Sequence, residues 1–168
     1  MSTLVIDIRP ARTSDASAIA DAHDEAWRYA YRGIIPGREL ERMILRRGAA
    51  WWESAITRGS RILVLVAGDD VAGYASYGKN RAGILPVKGE IYELYVRPHF
   101  QGIGLGRKLF EACRSELATR GVDGLAVWAL TDNDAACDFY RAVGGTAAAR
   151  GSESFGGVTL DKIAFTWA

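Results

Sequence analysis

The chain contains 168 residues, of which 49% are hydrophobic and 24% are charged, and its formal net charge at pH 7 is +1. This length and composition predict one globular domain over residues 1–168. The near-zero charge weakens the electrostatic case for binding nucleic acid or an anionic membrane, and no run reaches the ~18 apolar residues of a membrane-spanning helix. We therefore expect neither nucleic acid nor a membrane as a partner.

The N-terminal residues and the two cysteines bear on the compartment. Residues 1–12 have the pattern of a short strand and lack the apolar core and cleavage site of a signal peptide. Cys113 and Cys137 lie in predicted helices, and one pair is too few for a disulfide framework or a zinc site, so we expect two buried thiols. Together these features predict a cytoplasmic protein without a metal site.

The first elements in chain order are a strand and two helices. Residues 5–10 form a short apolar strand that ends at a proline. Apolar residues recur at helical spacing over residues 19–31, and Gly33 and Pro36 end that helix. A second helix is predicted over residues 40–55, because its apolar side chains share one face.

Three strands follow in the middle of the chain. Residues 61–67 and 71–77 are predicted to form a hairpin around the turn at residues 68–70. Residues 78–89 have the glycine and proline content of a loop, and residues 90–96 form the next strand.

The C-terminal part alternates between helices and strands. Residues 105–117 and 133–143 are predicted helices on either side of residues 125–130, a continuous apolar run typical of a strand covered on both faces. Residues 146–150 and 157–166 are the last two strands. The order βααβββαβαββ predicts an α/β fold in which a mixed central sheet of about seven strands, with one parallel βαβ unit, is flanked by four helices.

The strongest local signal is a glycine-rich loop between a strand and a helix, Gln101-Gly102-Ile103-Gly104-Leu105-Gly106-Arg107. Glycine lets successive backbone N–H groups turn toward one point, and the helix N-terminus adds its positive dipole end, so the loop predicts an anion site suited to a pyrophosphate. Arg107 and Lys108 begin this helix, where cations are disfavoured unless an anion offsets the dipole. They either pair with phosphates or are solvated surface charges.

Two better-known phosphate loops fit the sequence poorly. A Walker loop requires Gly-Lys-Ser/Thr, whereas Gly106 is followed by Arg107-Lys108-Leu109. The dinucleotide fingerprint of nucleotide-binding oxidoreductases, G-x-G-x-x-G, follows the first strand of its fold. Here the spacing is G-x-G-x-G far from the first strand, and Asp132, the nearest match to a ribose-binding acid, lies in a helix-capping position beyond the next strand.

A third kind of loop matches. Residues 101–106 fit the Q/R-x-x-G-x-G/A motif of the GNAT (Gcn5-related N-acetyltransferase) superfamily, and residues 94–98 are similar to the stretch that precedes that motif in the family. Asn133 to Tyr140 resembles the family's N-x-x-A-x-x-F-Y pattern, and the order of elements is that of its fold. The chain therefore resembles a small bacterial-type member of the superfamily over nearly its whole length.

The resemblance implies transfer of an acetyl group from acetyl-CoA to a primary amine of a small molecule or peptide, without a metal. We expect the transfer to be direct, without an acyl-enzyme, because the sequence shows no activated Ser or Cys arrangement. The resemblance leaves two points open. The chain could instead be a non-catalytic acyl-CoA-binding sensor of the same fold, and it could form a homodimer.

The resemblance also implies a coenzyme site. The backbone of residues 94–96 would bind the pantetheine arm like an added strand, the glycine-rich loop would hold the pyrophosphate, Asn133 would contact the coenzyme and Tyr140 its sulfur. The implied coenzyme-binding set is Leu94, Tyr95, Val96, Gln101, Gly102, Ile103, Gly104, Leu105, Gly106, Arg107, Asn133 and Tyr140.

Aminolysis of a thioester needs a neutral amine and a proton for the departing thiolate. A lysine-like amine has a pKa of about 10.4, so a base is expected, and Tyr140 suits the role of acid. Glu90 and Glu93 are the candidate bases, and their odd separation in a strand predicts opposite faces of the sheet. Resemblance to the histone-acetylating branch of the superfamily favours Glu90, a β-bulge would favour Glu93, and a water chain without a dedicated base is the third option.

The acceptor side is predicted at the end of the first helix, which lines the acceptor entrance in this fold. Trp27 and Tyr31 could cradle an amine through cation–π contacts, whereas Arg28 and Arg32 would suit a carboxylate. The alternative for Trp27 is simple packing between the first two helices.

Overall fold

One mixed seven-stranded sheet forms the centre of the structure, a computed structural model that describes residues 4–168. The sheet has the strand order β1-β2-β3-β4-β5-β7-β6, and β4–β5 is its parallel pair. The strands are β1 (Ile6–Pro10), β2 (Ile62–Ala67), β3 (Asp70–Lys79), β4 (Gly89–Val96), β5 (Leu125–Leu130), β6 (Thr146–Phe155) and β7 (Val158–Trp167).

Five α-helices flank this sheet within residues 4–168, one more than predicted. They are α1 (Ala16–Tyr31), α2 (Gly37–Arg46), α3 (Ala49–Thr57), α4 (Leu105–Thr119) and α5 (Asp134–Ala142). Short 3₁₀ turns at Thr13–Asp15 and Pro98–Phe100 precede α1 and the glycine-rich loop. No helix in this part of the chain is long and apolar enough to cross a membrane.

The extra helix comes from a break in the predicted helix over residues 40–55. Arg47 leaves the helical conformation with φ −112° and ψ 51°, and Gly48 is extended with ψ −177°. The indole N–H of Trp52 donates to the Arg47 carbonyl at 3.0 Å and so satisfies a carbonyl at the end of α2. The prediction of one helix was wrong, because the apolar spacing continues across the break.

The core lies on both faces of the sheet. On one face α4 and β7 contribute Phe110 and Phe165, and on the other α1 and α3 contribute Ile19 and Trp52, all of them at most 1% exposed. Residues 125–127 of β5 are also at most 2% exposed, which confirms the prediction of a strand covered on both faces.

The two cysteines and the strand β6 were also predicted from the sequence. Cys113 and Cys137 are buried and free, as expected. The strand predicted over residues 146–150 was too short, because β6 stays paired with β7 as far as Phe155 opposite Val158. Its polar and small side chains are typical of loops, yet most of them are exposed on an outer strand, where sheet pairing tolerates them.

Candidate active site

The two parallel strands at the centre of the sheet separate part of the way along. β4 and β5 are paired from Gly89 opposite Leu125 to Ile91 opposite Val127, and no further pair is formed although β4 continues to Val96. This separation, which the sequence does not indicate, leaves an opening in the middle of the sheet. One cavity lies on each side of it, and Tyr95 lines both.

The first cavity, the loop cavity, has a volume of ≈ 480 Å³ and lies between the glycine-rich loop, the end of β4 and α5. Ile103 and Leu105 do not line it, because the Ile103 side chain is 59% exposed and Leu105 is buried in the core. The other residues of the predicted coenzyme-binding set do line it, namely Leu94, Tyr95, Val96, Gln101, Gly102, Gly104, Gly106, Arg107, Asn133 and Tyr140. The structure thus brings that set together, and coenzyme binding by each residue stays a prediction.

Glycine is favoured at three positions of the loop. Gly102 and Gly104 have φ of 82° and 83°, the left-handed region that side chains with a Cβ avoid. A Cβ at Gly106 would lie 3.3 Å from the Phe139 ring, so glycine lets α4 approach α5 closely. The Gln101 side chain donates to the Val96 carbonyl at 2.9 Å and ties the loop to β4.

The loop ends in free helix amides. Lys108 N–H donates to Gly104 C=O at 3.2 Å, which is the first backbone bond into α4. The amides of residues 105–107 therefore precede the helical ladder, and such amides can bind an anion at the positive end of the helix dipole. The loop has the geometry expected of a diphosphate site.

The end of β4 presents a free strand edge to the opening. Arg97 N–H donates to Ala72 C=O on the β3 side at 2.8 Å. Because successive residues of a strand point their polar groups to opposite sides, those of Leu94 and Val96 point away from β3. The Val96 carbonyl already accepts from Gln101, so the free groups are the N–H and C=O of Leu94 and the N–H of Val96. An extended ligand could pair with this edge like an added strand.

Tyr140 and Asn133 lie on the far wall of the loop cavity. Asn133 caps α5 by accepting the Ala136 N–H at 3.2 Å. Tyr140 is 6% exposed, and its hydroxyl has no hydrogen-bond partner in the described residues. Burial raises the pKa of Tyr140, so the phenol is protonated at neutral pH and can donate a proton to a group in the cavity.

The second cavity, the carboxylate cavity, has a volume of ≈ 270 Å³ and contains both candidate bases, Glu90 and Glu93. The prediction of opposite faces was wrong. On β3, Ser76 lies opposite Glu93 and Tyr77 lies opposite Ile91, so Tyr92 is an extra residue in β4. This β-bulge changes the alternation and turns both carboxylates to one side.

Each carboxylate already has an arginine partner. Glu90 is 2% exposed and accepts from the Arg81 guanidinium at 2.8 Å and the Arg81 backbone N–H at 3.0 Å. Glu93 accepts from Arg47 at 2.7 and 2.6 Å and from the Tyr74 hydroxyl at 3.3 Å. Neither arginine was predicted as a site residue, because Arg81 lies in a predicted loop and Arg47 inside a predicted helix.

The predicted acceptor residues Trp27 and Tyr31 also line the carboxylate cavity. Trp27 is packed 5.2 Å from the Tyr31 ring and 5.6 Å from the Tyr95 ring. The hydroxyls of Tyr31 and Tyr95 are 2.6 Å apart, and burial raises the pKa of Tyr31 to about 12. This pair is therefore neutral at physiological pH and forms the border between the two cavities.

The arginines at the end of α1 lie outside the lining of the carboxylate cavity. Arg28 is paired with Asp24 at 2.6 Å and with Glu41, so its charge is already offset. Arg32 is exposed and does not line the carboxylate cavity. Between residues 4 and 168 there is no group of three or more His, Cys, Asp or Glu side chains that could hold a metal ion.

Known proteins share this fold and these motifs. The family described as "Acetyltransferase (GNAT) family" matches residues 19–144. The chain is 29% identical over 166 residues to YuaI, an uncharacterized N-acetyltransferase of Bacillus subtilis (strain 168), covering 97% of this chain and 93% of YuaI. It is 29% identical over 139 residues to the L-amino acid N-acyltransferase MnaT of Escherichia coli (strain K12), covering 83% and 78%.

A solved structure agrees with these sequence relatives. The structure of yncA from Salmonella typhimurium with its cofactor acetyl-CoA is 26% identical and gives a TM-score of 0.69, covering 96% of this chain and 92% of yncA. This similarity confirms the predicted fold class.

Proposed function

This chain belongs to the acetyltransferase (GNAT) family and is an acetyl-CoA-dependent N-acetyltransferase, and we propose that its acceptor is the primary amine of a small molecule or peptide. The observation that carries the proposal is the opening between β4 and β5, with the loop cavity on one side and the carboxylate cavity on the other. A thioester on one side can meet an amine on the other. The name of MnaT, an L-amino acid N-acyltransferase, supports a small primary amine.

On this proposal the loop cavity holds the coenzyme. The amides of residues 105–107 and the Arg107 side chain would bind the diphosphate, because both supply positive potential at a helix N-terminus. The free edge of β4 at Leu94 and Val96 would pair with the amide groups of the pantetheine arm. These contacts place binding energy in the part of the coenzyme that does not react.

Acetyl-CoA supplies a thioester, whose carbonyl carbon the neutral amine attacks. The C–N bond forms, the C–S bond breaks, and the nitrogen gives up one proton as the thiolate leaves, so that the amide product keeps one N–H. Tyr140 would protonate the thiolate, since its phenol is neutral and its hydroxyl has no protein partner.

Glu93 is the better candidate for the base. The Glu90 carboxylate is 2% exposed and accepts hydrogen bonds from both the guanidinium and the backbone N–H of Arg81, so an acceptor has little access to it. The Glu93 side chain is 14% exposed, and its Oε2 accepts only from Arg47 in the described residues. A carboxylate oxygen has two lone pairs, so Oε2 can still accept a proton from an ammonium in the cavity.

Thiol release from acetyl-CoA over a panel of primary amines tests the proposal. We expect release that depends on both substrates and an N-acetyl product detected by mass spectrometry. If acetyl-CoA binds but no amine in the panel releases thiol, the acceptor proposal fails and the sensor alternative is favoured.

A further inference from the structure

Arg47 enters the carboxylate cavity from the break between α2 and α3. Its carbonyl is held by the indole of Trp52, which is 1% exposed, and its guanidinium lies 4.5 Å from the Trp51 ring and 5.6 Å from the Trp27 ring. Cation–π contacts of this kind fix the position of a guanidinium. The helix break therefore places a well-supported cation beside Glu93.

Most donors of this guanidinium are unused. Both contacts with Glu93 come from Nη1, at 2.7 and 2.6 Å. An arginine has five N–H donors, and a side-on pair with a carboxylate would engage two of its nitrogens. The Nε and Nη2 groups of Arg47 donate to no acceptor within the described residues. This edge, on a side chain that is 28% exposed, has donors left for a second anion.

The charges of the cavity indicate what that anion is attached to. Glu93 is matched by Arg47 and Glu90 by Arg81, and the lining also contains one further acid and one further base, Glu153 and Lys162, so its charges sum to zero. An amine alone would add an uncompensated positive charge, whereas an acceptor with both an ammonium and a carboxylate adds none. The carboxylate can take the free edge of Arg47 while the ammonium takes the remaining lone pair of Glu93.

We propose that Arg47 is a specificity-determining residue that binds a carboxylate of the acceptor, so that the acceptor has the chemistry of a free amino acid. The apolar walls formed by Ile35, Leu130 and Phe155 favour an apolar side chain, and ≈ 270 Å³ suits a small molecule. This inference rests on the proposed N-acetyl transfer and adds the residue that selects the acceptor.

A matched pair of acceptors tests it: L-leucine and 3-methylbutylamine, which differ by the carboxylate. We expect the wild type to have at least a 30-fold lower KM for L-leucine. Arg47→Gln should raise the KM for L-leucine at least 30-fold and should change the KM for 3-methylbutylamine less than 3-fold. Any change in kcat that arises because Glu93 loses its partner should be the same for both acceptors. Arg42→Gln, on the exposed side of α2, is the control and should change neither.

Arg47→Gln leaves the Glu93 carboxylate without its arginine. The double variant Arg47→Gln/Glu93→Gln restores neutrality and should bind L-leucine as weakly as Arg47→Gln does.

A second test uses 4-methylpentanoate, which is L-leucine without its amine. Its binding, measured by calorimetry, should be lost in both variants. Equal KM changes for the two acceptors, or unchanged 4-methylpentanoate binding, would overturn the role of Arg47 while leaving N-acetyl transfer intact. Thiol release with neither acceptor and no 4-methylpentanoate binding would also overturn it.

Discussion

Replacement of Tyr140 by phenylalanine tests the proton donor. The hydroxyl makes no hydrogen bond in the described residues, and the ring is packed 5.3 Å from Phe139 and 6.0 Å from Phe165. The substitution therefore removes one oxygen and keeps the packing, so we expect the free energy of unfolding to change by less than about 0.5 kcal/mol. Folding and coenzyme binding should survive.

Turnover, in contrast, should fall in Tyr140→Phe. A positioned general acid contributes about 10²–10⁴-fold to rate, and we expect Tyr140→Phe to lower kcat by about 10²–10³-fold at neutral pH. The loss should shrink as the pH rises above about 8.5, the ordinary pKa of a thiol, because the thiolate is then a stable product that needs no proton.

The assay is thiol release from acetyl-CoA at several pH values, with thermal shifts in acetyl-CoA as the control for binding. A ligand at 100 times its dissociation constant stabilises by about 2.7 kcal/mol, and both proteins should show equal shifts. A kcat within 3-fold of the wild type, or a loss that is the same at every pH, would refute a proton-donor role for Tyr140.

Three further predictions follow from the same geometry. Gly104 has φ 83°, so Gly104→Ala should cost ~1–2 kcal/mol of stability and should weaken acetyl-CoA binding at least 10-fold by calorimetry. Gly59 has φ 90° and lies outside both cavities, so the control Gly59→Ala should cost the same stability without weakening binding. Glu93→Gln should lower kcat about 10²-fold, whereas Glu90→Gln should lower kcat less; the reverse order would make Glu90 the base. Burial lowers the pKa of His23 to about 3, so between that value and about 6.5 the unfolded chain binds a proton that the folded chain does not, and stability falls as the pH falls. Urea unfolding should show a loss of about 2–3 kcal/mol between pH 6 and pH 4 from this side chain, and the loss should be absent in His23→Leu.

The parts of the fold that could be predicted from the sequence depend on local patterns. The glycine-rich loop and the continuous apolar run of β5 are such patterns, and each was placed correctly. The break at Arg47 was missed because the apolar spacing of residues 40–55 runs through it, although Gly48 is a helix-breaking signal. A one-domain chain, a cytoplasmic location and a homodimer stay predictions.

The parts of the site that could not be predicted depend on pairing between distant strands. The bulge at Tyr92 is an effect of β3 and β4 register, and it is what brings Glu90 and Glu93 into one cavity. The separation of β4 from β5 after Ile91 likewise follows from the packing of the whole sheet. No spacing within one strand contains that information.

The central claim is that coenzyme A lies in the loop cavity with its sulfur at the opening between β4 and β5. A crystal structure of the complex tests it most directly. We expect the diphosphate against the amides of residues 105–107 and the sulfur within hydrogen-bonding distance of the Tyr140 hydroxyl. An empty loop cavity at saturating coenzyme A, or a coenzyme bound elsewhere on the protein, would contradict the account.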